Sequence, residues 1–433
     1  GQFLKEREGR YDPNDETIQS LKRLNKINFS GEIHISDKDS KTDMIIVKPG
    51  DLVISGINVS KGALAVYHGD EPITATIHYS SYVFDKKQIN IDYFKRFVKS
   101  QSFIQTLKDQ VKGGIKTEIK SKHFLPLEID LPDIEIQKDI VSFFKRVEGE
   151  ITELGSEIFS QLEYLNKLRQ AVLQEAIEGK LTTEWRTQNP GLIRGENHAS
   201  KLLEKIKAEK ERLIKEGKIK KDKPLSSITN AEKPFELPEG WVWCRLGEIA
   251  QGFEYGSSAK SKKDGKVPVL RMGNLQNGYI DWEDLVYTDD DAEIEKYLLG
   301  SNDLLFNRTN SRELVGKTAL YESEKKAIYA GYLVRFYMCG GINPKYSNYM
   351  MNSSFHRNWC DEVKADALGQ SNINATKLRD YRFPLPPLIE QQAIVEWVEK
   401  LMAMIDELKK QVSERKNQSE MLMQSVLREA FAR

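Results

Sequence analysis

The residues of this chain that could do chemistry approach several known arrangements and complete none of them. Gly316-Lys317-Thr318 has the tail of a phosphate-binding loop, in which glycine amides cradle a β-phosphate and a lysine reaches it. The leading glycine of that pattern would fall at Ser311, so the backbone nest is not expected there. Asn189-Pro190-Gly191 and Asn343-Pro344-Lys345 begin like the loop with which a methyltransferase holds an amino group of a base, but lack its second proline and stacking aromatic. Glu118-Ile119-Lys120 has the acid–lysine look of a metal-dependent nuclease, without a partner Pro-Asp nearby. The six histidines show no HExxH or other ligand spacing. Cys244, Cys339 and Cys360 form no CxxC pair and read as buried thiols of a reducing compartment. The reading is therefore of a non-enzyme with no cofactor and no metal, and binding is left as the activity to explain.

The bulk properties set limits on that binding. In 433 residues, Lys+Arg and Asp+Glu both total 65, so no global field draws the chain to a polyanion and any such contact must come from local patches. No apolar run approaches the ~20 residues of a membrane helix, and no signal peptide is expected. The expected location is the cytoplasm, with no membrane partner. The chain opens at Gly1 rather than Met and runs straight into Phe3-Leu4-Lys5-Glu6, so native residues are expected ahead of it.

Short β-branched runs (Met44–Val47, Asp51–Ile54, Ala63–Tyr67, Tyr82–Phe84) punctuated by Gly, Pro and Asp predict a mixed α/β domain over residues 1–130, with a helix from Ile91 to about Gln110. From Ile136 the apolar period changes. Ile136, Ile140, Phe143, Val147, Ile151, Leu154, Ile158, Leu162, Leu165, Leu168 and Val172 advance by threes and fours, predicting a long helix that begins beyond Pro132 and ends at Gly179. A hydrophilic connection over 186–236 contains a Lys/Glu-rich helix at about Ser200–Lys215; its lysine run reads as a solvated face. A second domain over 237–384 shows strand-like runs at Val267–Met272, Asp303–Asn307, Thr318–Tyr321 and Leu333–Met338, then a helix at about Pro344–Val363. A second seam over 385–433 uses Ile394, Trp397, Leu401, Ile405, Leu408 and Val412, then resumes at Leu422, Val426 and Ala430.

The two halves are copies. Leu131-Pro132-Asp133-Ile134-Glu135-Ile136-Gln137 returns 254 residues later as Leu385-Pro386-Pro387-Leu388-Ile389-Glu390-Gln391, and Leu168–Ile177 falls on Leu422–Phe431 at the same offset with six of ten positions identical. A period this long is a duplicated domain with its helix, not a solenoid. The expected fold is α/β (α+β): two globular domains of mixed strands and helices, separated by two long helices (131–185 and 385–433) in an antiparallel coiled coil, with an internal pseudo-two-fold repeat.

Phe383-Pro384-Leu385-Pro386-Pro387-Leu388-Ile389-Glu390-Gln391-Gln392, the paired helix ends, the exit Glu178-Gly179-Lys180-Leu181-Thr182, and the opening Leu237-Pro238-Glu239-Gly240-Trp241 with Leu246-Gly247 resemble the specificity subunit of type I restriction–modification systems. The resemblance covers essentially the whole chain, but no Gly-Trp…Leu-Gly opening precedes the first domain. It implies two target recognition domains that each read one half of a bipartite double-stranded DNA target. It also implies paired helices that set the spacing and dock two methyltransferase subunits, with restriction/translocase subunits in the full complex and no catalysis by this chain.

For DNA contact, phosphates call for Lys, Arg or small polar groups, and base edges for Arg, Asn, Gln, Lys, Ser or Thr. Asn307-Arg308-Thr309-Asn310-Ser311-Arg312 ends an apolar strand and is dense in such groups, giving Arg308, Thr309, Asn310, Ser311 and Arg312 as candidates. Asn58, Ser60 and Lys61 occupy the matching stretch of the first domain. Before each long helix lies a second candidate loop: Gln370, Ser371 and Asn372 after Gly369, and Lys112, Lys116, Thr117, Lys120 and Lys122 around Gly113-Gly114. Tyr79, Arg271, Asn274 and Arg335 are weaker candidates. A competing reading, a coiled-coil scaffold whose globular ends bind protein, predicts no duplex binding at all.

Overall fold

The computed structural model describes residues 2–97 apart from 30, 37–40, 58–62 and 86, a few positions within 100–109, and 125–430 apart from 222 and 368. Contacts divide the chain into two units, Gly1–Ser160 with Val412–Arg433, and Gln161–Gln411, so each long helix contributes to both.

The two units share one plan. In the first, a four-stranded antiparallel sheet sets Leu4–Glu6, Tyr79–Phe84, Leu52–Ser55 and Leu64–Val66 side by side in that order. The second unit sets Ala250–Tyr255, Leu333–Met338, Asp303–Asn307 and Thr318–Tyr321 side by side. Counted along the chain, both sheets run first, fourth, second, third. Each unit adds a second sheet, of four strands in the first and three in the other, that contains a parallel pair, Arg23–Ile27 with Ile73–Thr76 and Val267–Leu270 with Ile328–Tyr329. Leu52-Val53-Ile54 and Leu304-Leu305-Phe306 are apolar at every position because both faces of these central strands are buried. The repeat persists in single hydrogen bonds. The Ser55 amide donates to Ala63 O (3.0 Å) and the Asn307 amide to Lys317 O (2.8 Å); the Gly56 amide donates to His78 O (2.9 Å) and the Arg308 amide to Tyr332 O (3.0 Å).

The repeated Leu-Pro…Gln motif has the same physical role twice. Gln137 and Gln391 are fully buried. The Gln137 carbonyl accepts from the Asn90 amide at 2.8 Å, and its NH2 donates to Pro132 O (2.7 Å) and Gln88 O (3.0 Å). The Gln391 carbonyl accepts from the Asn343 amide at 2.7 Å, and its NH2 donates to Pro386 O (3.1 Å) and Gly341 O (3.4 Å). Asn90 and Asn343 in turn start helices with their side chains, Asn90 Oδ1 accepting from the Tyr93 amide and Asn343 Oδ1 from those of Lys345 and Tyr346. The glutamine thus fastens the long helix to the helix start of its own domain. Gln391→Ala would strand an amide and two carbonyls in a dry site, at about 1–3 kcal/mol for each group that water cannot reach. The expected result is a lower urea midpoint and faster amide exchange over 341–350; unchanged exchange there would refute the role.

Within the motif, a buried carboxylate marks the second copy, Glu390 standing where the first copy has the exposed Ile136. Glu390 is inaccessible, and accepts from Thr182 Oγ1 (2.7 Å), Arg186 Nη1 (2.6 Å) and Trp241 Nε1 (2.7 Å). It joins the start of the second long helix to the exit of the first and to the opening of the second domain. Gly179, in the left-handed region at φ 69°, ends the first long helix, and a Cβ there would lie 2.6 Å from Pro238 Cγ.

The long helices span Ile134–Ile177 and Leu388–Ala430. Within the second unit they run antiparallel, since Arg169 pairs with Asp406 while Thr182, further along the chain, meets Glu390, nearer the start of the second helix. Ile158, Val172, Ile394, Ile405 and Val412 are buried as the periodic reading expects, and the seam departs from that reading at other positions. Val141, Phe144, Leu173, Ala176 and Ile177 are buried, whereas Ile136, Phe143 and Leu168 are exposed; Val395, Val398 and Met402 are buried, whereas Trp397, Leu408 and Leu422 are exposed. The reason is that the helices face domain cores as well as each other. Val141, Phe144 and Val426 pack with Leu52, Tyr82 and Phe94, and Val172, Ala176 and Ile394 with Trp241, Phe336 and Phe383. The predicted connection helix is Ala199–Lys215, and the predicted helix over Pro344–Val363 is two, Pro344–Met350 and Ser354–Val363, the second capped by Ser353. The predicted helix from Ile91 is described over Ile91–Phe97.

Candidate nucleic-acid interface

At one edge of the second unit's main sheet, Ala250–Tyr255 ends, Leu333–Met338 begins and Asp303–Asn307 ends; Tyr255 lies opposite Val334, and Asn307 opposite Leu333. The chain leaves Asn307 through Arg308 into the two-residue strand Thr309–Asn310. This pairs with Gln370–Asn372, which pairs with Ala365–Ala367. Two loops some sixty residues apart therefore form one polar ribbon. Thr309 faces Asn372, whose amide donates to Thr309 Oγ1 at 2.7 Å, and Asn310 faces Ser371. The Ile373 amide donates to Arg308 O at 2.9 Å, pinning the ribbon to the sheet. Gly369, at φ 83°, has open space where a Cβ would stand, so its backbone conformation rather than packing favours glycine at this turn.

Side chains along the edge combine charge with aromatic surface. The Arg308 guanidinium lies 4.5 Å from the centre of the Tyr255 ring, whose hydroxyl accepts from the Ala375 amide at 3.2 Å. Tyr255 and Tyr332 are 43% and 50% exposed. Aromatic rings half in water beside a cation offer stacking and charge together. Arg312 and Gln370 are exposed. The buried Ser371 hydroxyl donates to Asp366, and Asn310 Oδ1 accepts from the Ser311 amide at 2.8 Å, so these two side chains shape the ribbon.

Other candidates sit in the framework. Asn274 is buried; its carbonyl accepts from the Arg271 amide (2.8 Å) and its NH2 donates to Asp281 O and Glu283 O, which closes a turn. Arg271 is paired with Asp284 at 3.0 Å. Arg335 donates to Glu254 (2.5 Å) and Leu298 O (3.2 Å). Tyr79 is half-buried against a core cluster, and burial raises its pKa. Lys317, in the phosphate-loop look-alike, donates to Gln276 Oε1 at 2.8 Å, and burial lowers its pKa. Behind the edge, His356 contacts Gly316 O at 2.8 Å, and burial pushes its pKa down to about 4, so it stays neutral at pH 7. Among the described residues no group of three or more His, Cys, Asp or Glu could hold a metal.

In the first unit the matching edge holds Ser55, Gly56 and Tyr79. Asn58, Ser60, Lys61, Lys112, Lys116, Thr117, Lys120 and Lys122 lie outside the described residues. Gly56 stands where Arg308 stands in the second unit, on the same backbone bond. Sequence reasoning missed Tyr255 and Tyr332, because a tyrosine at the end of an alternating strand reads equally well as core.

The family model for the type I restriction modification DNA specificity domain matches residues 238–415. That stretch, the second domain with the first part of its long helix, is similar to the type I DNA specificity domain. The type I restriction enzyme EcoAI specificity subunit of Escherichia coli is 32% identical over 268 residues, 60% of this chain and 43% of that one. The EcoEI specificity subunit of Escherichia coli is 29% identical over 325 residues, 72% of this chain and 53% of that one. The chain thus spans about half the length of these curated relatives. Two solved structures share the fold of this chain. One, from work on complex assembly and conformational transition of the type I R-M system, has a TM-score of 0.55 at 13% identity, covering 100% of this chain and 98% of that one. The other, the HsdS subunit from Thermoanaerobacter tengcongensis, has a TM-score of 0.51 at 14% identity, covering 99% and 94%. Among the described residues no helix is long and apolar enough to cross a membrane.

Proposed function

We propose that this chain is the non-catalytic DNA-sequence-recognition subunit of a cytoplasmic type I restriction–modification complex. Each globular domain reads one half of a bipartite target, and the paired helices set the spacing and dock two methyltransferase subunits, with restriction/translocase subunits completing the complex. The observation that carries this reading is one sheet plan used twice with different side chains at the equivalent edge, Gly56 in one unit and Arg308 in the other. A shared scaffold with divergent edges suits two unlike half-sites. In a symmetric DNA-binding dimer the half-sites would be equal. The polar ribbon of Thr309, Asn310 and Gln370–Asn372 beside Arg308 supplies donors and acceptors suited to base edges and phosphates.

Exchange of residues 240–380 for the same segment of a relative tests the reading. With the methyltransferase subunits present, a methylation map of cellular DNA is expected to show one half of the modified sequence replaced and the other retained. Change in both halves would show that the domains do not read independently. An active complex with an unchanged map would remove the second domain from recognition.

A further inference from the structure

The connection between the two halves is not a free tether near its end. After the helix Ala199–Lys215 the chain runs through Lys218-Ile219-Lys220-Lys221-Asp222-Lys223-Pro224-Leu225-Ser226 before the second domain opens. Arg379 donates to Lys223 O at 3.5 Å. Leu225 lies on Gly247, where a Cβ would come within 2.9 Å of Leu225 Cδ1. The buried Arg245 donates to Ser226 O (3.2 Å) and pairs with Glu232 at 2.6 Å, while Arg382 donates to Glu232 O at 2.9 Å. The Thr229 amide and then Arg245 hold the Glu232 carboxyl down to about 2. These fastenings come from backbone groups, an apolar side chain and one acid. Lys220, Lys221 and Lys223 take no part with their side chains, which are exposed.

Lys220, Lys221 and Lys223 set three positive charges against the single acid Asp222 within four residues, and holding this net positive stretch on the domain costs repulsion and conformational entropy that a solvated tether avoids. The place of the strap in the second unit suggests what offsets that cost. Arg379 ends the short helix Ala375–Arg379, and the first residue of that helix donates its amide to the Tyr255 hydroxyl at the polar edge. Five helical residues rise roughly 7.5 Å. The strap is therefore one short helix and the reach of the Arg379 side chain away from the edge, a span over which duplex DNA presents several phosphates at about one charge per 1.7 Å of axis.

We propose that Lys220, Lys221 and Lys223 form a sequence-independent phosphate clamp that extends the DNA-reading edge of the second domain. The clamp rests on the reading of that edge as a DNA surface. It supplies affinity and no base preference, since a lysine ammonium neutralises a phosphate as a point charge.

The test uses the full chain and a fluorescein-labelled duplex of about 45 base pairs of mixed sequence, titrated across a range of salt concentrations. Each phosphate neutralised contributes about 0.9 to the slope of log affinity against log salt. The triple variant Lys220→Gln, Lys221→Gln, Lys223→Gln is expected to lower that slope by about 2–3 and to weaken binding near 0.1 M salt on the order of 100-fold. The triple arginine variant is expected to keep the slope, and the methylated sequence made with the partner subunits is expected to stay the same. If the wild-type chain shows no salt-dependent duplex binding, the DNA reading itself fails. If it binds and the glutamine variant keeps the wild-type slope, the clamp alone fails. An unchanged slope with lost co-purification of the methyltransferase subunits would assign the strap to an acidic protein surface and also overturn the clamp.

Discussion

Replacing Glu390 with alanine is expected to destabilise the second unit by about 3–5 kcal/mol, the cost of removing one partner from a buried ion pair. The variant would leave the Arg186 guanidinium, 12% exposed, without its carboxylate, and strip the Thr182 hydroxyl and Trp241 indole N–H of the acceptor they share. Against a total stability of roughly 5–15 kcal/mol for a domain, that is a large fraction. Glu390→Gln keeps an acceptor of the same shape and loses the charge, so a smaller loss is expected. The double variant Arg186→Met, Glu390→Leu is expected to recover part of the single-variant loss, because no charge is then left buried without a partner. Urea unfolding followed by tryptophan fluorescence reads these differences through the midpoint. An alanine variant within about 0.5 kcal/mol of wild type, as at ordinary surface positions, would show that the node joins its three segments without holding them.

That node shows why part of this chain was legible in the sequence and part was not. The Leu-Pro…Gln turn stands out by its repetition, and the repeat marks the start of both long helices. What the letters do not carry is which of two adjacent residues turns inward. Glu390 and Gln391 are both fully buried, while the preceding Leu388 and Ile389 are 49% and 44% exposed, the reverse of a hydropathy ranking. A glutamate in the first turn of a helix reads naturally as a partner of the helix dipole; only the arrival of Thr182, Arg186 and Trp241, from over 140 residues away, makes it an interior acceptor. Phe143 and Phe144 give a second instance. The heptad count selects Phe143, but the helix here packs on the sheet residues Leu52 and Tyr82, which turns Phe144 into the core.

Strands followed the same division. Met44–Val47, Asp303–Asn307 and Leu333–Met338 are readable from short runs rich in apolar residues between turn signals. Arg23–Ile27 (Arg-Leu-Asn-Lys-Ile) and Ala250–Tyr255 (Ala-Gln-Gly-Phe-Glu-Tyr) carry too little apolar signal and form because their neighbours need partners. The polar edge was legible as two loops but not as one ribbon. Strands of two or three polar residues have no buried face to set their register, so nothing local announces that Thr309 will face Asn372.

The ribbon makes Arg308 the residue to test for base reading, and Arg308→Ala is expected to relax recognition at one base pair of one half-site. Its backbone is held on both sides, the amide by Tyr332 O and the carbonyl by the Ile373 amide, and its guanidinium lies over Tyr255. The Nε is buried, so the terminal nitrogens are left to meet a ligand. A planar pair of donors on a fixed stem suits two acceptors side by side, as guanine presents with O6 and N7, and such a contact is worth about 1–3 kcal/mol of discrimination. Lysine at this position would keep the charge and lose the fork, so Arg308→Lys is expected to behave like the alanine variant in specificity. The surface pair Arg194–Glu239, with no part in the ribbon, supplies the control Arg194→Ala, expected to leave binding unchanged. Competition among duplexes that differ from the methylated target by single base pairs gives the measurement. Loss of discrimination at one position of the half-site assigned to residues 240–380, with the salt slope unchanged, is the expected outcome. A slope reduced by about 0.9 with discrimination intact would make Arg308 a phosphate contact instead. No change in either would place base reading away from this edge and leave the stacked arginine as framework.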